Sequence, residues 1–157
     1  MPRTLGTQLR HLIELLDNAV ERAYTDIGLN YRPRYTPVMR VLMRKGPSTV
    51  GEIAESAGIT QPAVTQTVAR MAEAGLVAVV PGERDARQRI IQLTPQGQAL
   101  VPELERCWQA TALAARSLDE DLGQPLSAVL EATIEALNRR SFAERIRDAR
   151  REQSGDR

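Results

Sequence analysis

Among its 157 residues the chain has one cysteine and one histidine, and that scarcity removes several kinds of chemistry. A single thiol, Cys107, forms no intramolecular disulfide. It is either an inert, partly covered side chain or a redox sensor, and the inert reading is better supported because only Arg106 beside it is cationic. His11 has no partners at metal-binding spacing and reads as a surface or interface residue. No phosphate-binding loop, metal-ligand spacing or nucleophile elbow occurs, so nothing points to an enzyme or to a cofactor. No apolar run approaches the roughly 20 residues that span a bilayer. The N-terminal stretch mixes charges into its apolar positions and lacks a small-residue cleavage pattern, which argues against a signal peptide. A cytoplasmic protein with no membrane partner is the simplest expectation. Internal repeats and low-complexity segments are also missing.

What is present is ordinary globular composition, 42% hydrophobic and 26% charged, in a length that suits one domain with accessory helices. The net charge of +1 is small, but it is unevenly spread. Between Pro33 and Thr94 stand eight basic residues (Arg34, Arg40, Arg44, Lys45, Arg70, Arg84, Arg87, Arg89) and five acids (Glu52, Glu55, Glu73, Glu83, Asp85), a balance of +3 that leaves −2 for the rest. A modest positive footprint in the middle of a chain is what phosphate contact requires.

Hydrophobic spacing lays out the elements. Leu5, Leu9, Leu12, Leu16, Ala19 and Ala23 recur at fours and threes, with Ile13 and Val20 widening the stripe, so a long amphipathic helix runs from about Thr4 to a stop at Gly28. Its narrow seam suits packing against another chain. The segment GLNYRPRYTP reads as a connecting loop because of its prolines. Thr36 as N-cap and Pro37 then open a short helix closed by Gly46-Pro47. Thr49-Val50-Gly51-Glu52 has capping-box spacing and starts a helix that buries Ile53, Ala54 and Ala57.

From Glu52 the chain reads as two short helices joined by a tight turn, Ala57-Gly58-Ile59, followed by a longer helix ending at Gly75. Thr60 caps the helix after the turn, and Val64, Val68 and Met71 form its buried side. The runs Leu76–Val80 and Ile90–Leu93 are apolar and β-branched, and the polar PGERDARQR between them makes them a hairpin with a basic tip. After Thr94-Pro95 a helix extends to about Leu118, with Pro102 either kinking it or marking its true start. Asp119 to Pro125 breaks the pattern, and the cluster Asp119-Glu120-Asp121 reads as a solvated interhelical loop. A last helix carries Leu126, Val129, Leu130, Ile134, Leu137, Phe142 and Ile146, its apolar face persisting past Arg139-Arg140. The tail from Arg151 is expected to fray.

A helix pair followed by such a hairpin is a winged helix, whose second helix can enter a DNA major groove. On the helix after the turn, Thr60, Gln61, Ala63, Thr65 and Gln66 are candidate groove-facing residues, with Thr67 as a further one and Arg70 behind them. Glutamine pairs bidentately with adenine, threonine bonds bases or phosphates, and alanine or the threonine methyl touches the thymine methyl. Small polar residues also decorate ordinary exposed helices, and a charged turn also explains the hairpin taken alone. Together the two features favour DNA. Arg84 and Arg87 at the tip suit a minor groove, and Asp85 between them suits an ion pair that orients an arginine. Arg40 and Arg44 are candidate phosphate contacts. The alternative is a winged-helix protein-interaction module without sequence-specific DNA binding, against which the basic wing argues.

The stretches TVGEIAESAGITQPAVTQTVARMAEAGLV and GERDARQRIIQLTPQG resemble the MarR family of bacterial transcriptional regulators, and the resemblance extends over nearly the whole chain. It implies a fold that is mainly α with a small β-hairpin wing: a winged helix-turn-helix lobe over 36–94 and a helical dimerisation region from 1–30 and 95–150, in a single domain with a disordered tail at 151–157. By the same resemblance the protein is a homodimer, held through Leu5, Leu9, Leu12, Leu16, Leu130, Ile134 and Leu137. The dimer is a repressor on a palindromic double-stranded operator. Thr65 falls at a base- or phosphate-contacting position, and Asp85 and Arg87 at the wing's ion-pair and minor-groove positions. Gln66 departs from the pattern, since the family commonly has arginine there, which shifts the expectation from guanine to adenine or a water-mediated contact. Relatives release DNA on binding a small anionic aromatic effector, for which Tyr31, Arg34 and Tyr35 are candidate cleft residues; packing and phosphate contact are the stronger reading of the same residues.

Overall fold

The computed structural model describes residues 4–155. Thr4 caps helix α1 (Leu5–Asp26) by accepting the Thr7 N–H at 3.3 Å. After it, the segment expected to be a plain loop contains one 3₁₀ turn, Pro33–Tyr35, that runs straight into α2 (Thr36–Lys45). The proline is responsible: Arg32 before it is extended at φ −122°, and its fixed φ suits the first position of a helical turn. Thr36 is therefore not the expected cap. It is already helical, and its hydroxyl accepts the Tyr31 O–H at 3.2 Å instead.

Next come strand β1 (Ser48–Thr49), helix α3 (Val50–Ala57), helix α4 (Gln61–Glu73), strands β2 (Val77–Pro81) and β3 (Arg89–Leu93), and helix α5 (Pro95–Leu122). Only one helix, α4, follows the turn at Gly58, where a short and a longer one were expected. The strands form an antiparallel sheet in the order β1-β3-β2, with Val77 opposite Leu93 and Ser48 opposite Ile91. Two-residue β1 escapes sequence reading because it is too short to show alternation.

Two compact units divide the chain, Met1–Gln109 and Ala110–Arg157, so the boundary falls inside α5. The first contains the whole buried core, in which Tyr24, Val38, Met39, Ile53, Val64, Met71, Leu76, Ile91 and Leu104 are fully enclosed. Burying each of these side chains contributes roughly 1.5–3 kcal/mol. Within this unit α4, the sheet and α5 meet at one junction. Thr94 donates its N–H to the Leu76 carbonyl and its hydroxyl to the Gly75 carbonyl, and the same hydroxyl caps α5 by accepting the Gly97 N–H at 3.0 Å. Gly97 is buried against the Leu76 carbonyl so closely that a Cβ would overlap that oxygen.

The second unit differs from expectation in three places. Asp119, Glu120 and Asp121 belong to the last turn of α5, which runs to Leu122, rather than to a loop. Carboxylates are unfavourable at a helix C-terminus, but Asp119 has a use there: its Oδ1 accepts the Leu126 N–H at 2.8 Å and caps the following helix, α6 (Leu126–Arg139). The expected single last helix is two, because Arg140 is extended at φ −149° and Ser141 starts α7 (Phe142–Gly155). Ser141 and Glu144 cap reciprocally, Ser141 N–H to Glu144 Oε2 at 2.7 Å and Glu144 N–H to Ser141 Oγ at 3.3 Å. Arg145 donates to the carbonyls of Ala136 and Arg140, and Arg140 pairs with Asp148, so the corner is tied on both sides. Residues 151–155, expected to fray, continue α7. The rest of that tail, Asp156 and Arg157, lies outside the described residues.

An ordinary helical glycine replaced by alanine gains about 1 kcal/mol. Gly97→Ala should do the opposite and destabilise by about 1–3 kcal/mol, because the new methyl overpacks the junction. Thermal unfolding checks the sign, and a raised midpoint would show that α5 does not approach Leu76 so closely.

Candidate nucleic-acid interface

The helix pair is assembled by local capping. Thr49 accepts the Glu52 N–H at 3.2 Å while Glu52 Oε2 accepts the Thr49 N–H at 2.7 Å, and that backbone bond holds the Glu52 carboxyl below the usual range. Gly58 ends α3 at φ 66°, a left-handed conformation that only glycine adopts without strain, and the Ile59 N–H closes the turn on the Ala54 carbonyl. Thr60 then caps α4 by accepting the Ala63 N–H at 3.3 Å. Val64, Thr67, Val68 and Met71 are buried, which corrects the placement of Thr67 among groove-facing residues: it lies on the core side.

Opposite that buried side, Pro62, Thr65, Gln66 and Ala69 recur at i, i+3, i+4 and i+7 and are exposed, with Glu73 closing the row. Pro62 and Ala69 were not singled out in the sequence, although the spacing of Val64, Val68 and Met71 places them outward. Thr65 donates its hydroxyl proton to the Gln61 carbonyl at 3.0 Å. It therefore presents a methyl and an acceptor, and no free donor for a phosphate. Gln61 Nε2 reaches back over α3, 3.7 Å from where a Cβ of Gly51 would stand. Ala63 and Arg70 are exposed along one flank of the row.

The wing is more ordered than a solvated loop. The Gly82 N–H bonds the Gln88 carbonyl at 2.9 Å, the Gln88 N–H bonds the Asp85 carbonyl at 3.0 Å, and Asp85 Oδ1 accepts the Arg87 backbone N–H at 2.9 Å. Asp85 thus holds an arginine's main chain, where an ion pair to its guanidinium was expected; no ion pair of Asp85 occurs among the described residues. Arg84 and Arg87 are both exposed at the tip.

The two candidate phosphate contacts are engaged within the fold. Arg44 Nη2 donates to Ser56 Oγ at 2.6 Å, and the Arg40 guanidinium lies 4.6 Å from the centre of the Trp108 ring. Trp108 in turn donates its indole N–H to Tyr24 Oη at 3.0 Å. Tyr24, Tyr31 and Tyr35 stack edge to face at 4.9 Å and 5.5 Å. Tyr31 and Tyr35 are buried in this cluster, which is the packing role, and burial pushes the Tyr31 hydroxyl above its ordinary value; Arg34 alone of the three cleft candidates is exposed. Burial also raises the Cys107 thiol, which lowers its thiolate fraction and its reactivity.

Apolar residues on three helices face outward. On α1 Leu5, Leu9 and Leu16 are exposed and Leu12 is half-buried; on α6 so are Leu130, Ile134 and Leu137; and on α7 Phe142 and Ile146. No described residue of Ala110–Arg157 is fully buried. No helix among the described residues is long and apolar enough to cross a membrane.

Helix pair, short third strand and ordered hairpin define a winged-helix protein. The MarR family model matches residues 27–88, and over that segment the chain is similar to that family. The chain is 27% identical over 97 residues to an uncharacterized HTH-type transcriptional regulator of Bacillus subtilis, YdgG, a match covering 60% of this chain and 62% of that one. The crystal structure of transcriptional regulator PA4135 is similar at a TM-score of 0.59 and 21% identity, covering 88% of this chain and 98% of that one. The structure of NadR in complex with 4-hydroxyphenylacetate is similar at 0.55 and 21%, covering 87% and 97%. Both likenesses show the shared fold.

The Asp85 geometry separates two variants. Asp85→Asn retains an oxygen that accepts the Arg87 N–H and should bind DNA within about twofold of the parent. Asp85→Ala loses that bond, typically worth about 1 kcal/mol, and should bind about fivefold more weakly. Equal losses in a fluorescence-anisotropy titration would show that the carboxylate charge, and not the turn, matters.

Proposed function

We propose that the protein is a sequence-specific regulator of transcription, a repressor that binds a palindromic double-stranded operator as a homodimer. Helix α4 enters the major groove through Thr60, Gln61, Ala63, Thr65 and Gln66. Arg84 and Arg87 of the wing enter the minor groove, and Arg70 supplies phosphate contacts that set register together with Arg40 and Arg44, which remain exposed beside their partners Trp108 and Ser56. The observation that supports the dimer is the uncovered apolar surface of α1, α6 and α7, together with a C-terminal unit in which no described residue is fully buried. Most helical stability comes from packing an apolar face, and a second chain laid on these faces would supply that packing. The dimerisation region then comprises 1–30 and 95–150, and the reading lobe 36–94.

Release by a small anionic aromatic effector is part of the same reading. Its support is the fold shared with NadR, whose structure holds 4-hydroxyphenylacetate. Because the rings of Tyr31 and Tyr35 are enclosed, Arg34 is the member of that segment placed to meet an anion. The expected location of such a regulator is the cytoplasm.

DNA binding is tested through Arg87. Arg87→Ala should weaken binding across all duplex sequences and reduce the slope of log K against log salt by about one, the contribution of a single phosphate-region cation. An unchanged slope, measured between 50 and 200 mM salt as roughly the range over which such contacts are resolved, would place Arg87 outside the interface.

A further inference from the structure

The outward row of α4 is unusual in its chemistry for a reading surface. Pro62, Thr65, Gln66 and Ala69 form a contiguous exposed stripe, and three of the four offer only carbon to a partner or, for Thr65, carbon and a lone pair. Resting on the reading of α4 as the groove-facing helix, we infer that this stripe recognises A·T pairs through thymine methyl groups. In that recognition Thr65 and Ala69 read by their own methyls, and Gln66 makes the stripe's one bidentate hydrogen-bonded contact, to adenine.

Several independent features converge on that chemistry. The Thr65 proton is directed to the Gln61 carbonyl at 3.0 Å, so the side chain has no free donor for guanine O6 or N7, thymine O4 or a phosphate. Its Cγ methyl is the part left to face a partner. Ala69, one turn further on the same side, adds a second methyl, and Pro62 one turn before adds the edge of its ring. No arginine or lysine stands in the stripe, which removes the usual bidentate partner of guanine. Arg70 lies on the flank, and Glu73 at the end of the row repels phosphate, which confines reading to the first turns. Gln66 in the centre has the amide pair that matches adenine N6 and N7. An adenine presents those atoms beside the methyl of its own paired thymine or of its neighbour, so one short A·T-rich step satisfies Gln66 and both methyl readers together.

The experiment uses the full chain and a duplex selected by it from a random pool. In that duplex each thymine of one half-site is replaced in turn by deoxyuridine, which removes the 5-methyl and nothing else. Two thymines should each prove sensitive, with about a fourfold loss of affinity per methyl, the factor that corresponds to burying one methylene-sized group at about 0.8 kcal/mol. Two variants assign the readers. Thr65→Val keeps the methyl and removes the hydroxyl, and should bind the selected duplex within about twofold; Thr65→Ser keeps the hydroxyl and removes the methyl, and should bind thymine and deoxyuridine duplexes alike at its position. Circular dichroism confirms that both fold as the parent does. Equal affinity for every deoxyuridine duplex overturns the inference, as does a Thr65→Ser variant that retains thymine preference while Thr65→Val loses it. If the selected duplex is bound in a salt-dependent way but without methyl sensitivity, only this inference falls. If no duplex is retained from the pool, the DNA-binding reading falls and this one with it.

Discussion

The close passage of Gly97 over the Leu76 carbonyl fixes the relation between α4, the hairpin and α5. At this point the end of α4, the first residue of the β2 run, the end of β3 and the start of α5 converge within a few bonds. Thr94 satisfies two carbonyls of the turn after α4 with its N–H and hydroxyl, and the same hydroxyl caps α5. A side chain on residue 97 would push α5 away and break these bonds together, since interiors are packed at crystal-like density and shift as blocks. The turn after α4 and the start of α5 are thus joined by backbone contact rather than by flexible side chains.

From that constraint the exposed chemistry follows. With Val64, Val68 and Met71 enclosed against the core, α4 turns Pro62, Thr65, Gln66 and Ala69 directly away from it, with Ala63 and Arg70 exposed on the flank. The wing leaves the same junction on β2 and returns on β3, and its tip is folded by Asp85 and Gly82, where a Cβ would meet the Asp85 carbonyl oxygen at 2.7 Å. Arg84 and Arg87 are carried on a shaped loop, which reduces the entropy lost when they meet a partner. The Arg40–Trp108–Tyr24 contacts tie α2, α5 and α1 together, in a cluster that contains all three tyrosines and the one tryptophan.

Much of this is legible in the residues. Thr49-x-x-Glu52, Gly58 and Thr60 announce the helix pair because caps and turns are local chemistry, and the β-branched runs around PGERDARQR announce the hairpin. Illegible features fall into two kinds. Some depend on tertiary contact: the edge-to-face packing of Tyr24, Tyr31 and Tyr35, the burial of Thr67, and the use of Asp85 on a main-chain N–H. Others carried a signal that stronger patterns masked. Ser141-x-x-Glu144 is a capping box as plain as the one at Thr49, but the apolar run from Leu126 to Ile146 passes through it and suggests one helix. Asp119 lies in a helix although its neighbours are acidic, because its bond to Leu126 offsets what the helix dipole loses. The candidate contacts themselves are legible only as residue types at outward positions; which base each one meets is a property of the complex.

In the proposed dimer, two copies of this lobe joined through the apolar faces of α1, α6 and α7 present two α4 helices to one face of a duplex. Hydroxyl-radical footprinting of the selected duplex tests it most directly. The account predicts two equivalent protected half-sites related by a two-fold axis, with centres about 34–36 Å apart, one turn of B-form DNA. A single unsymmetrical protected stretch, bound by one chain, would contradict it.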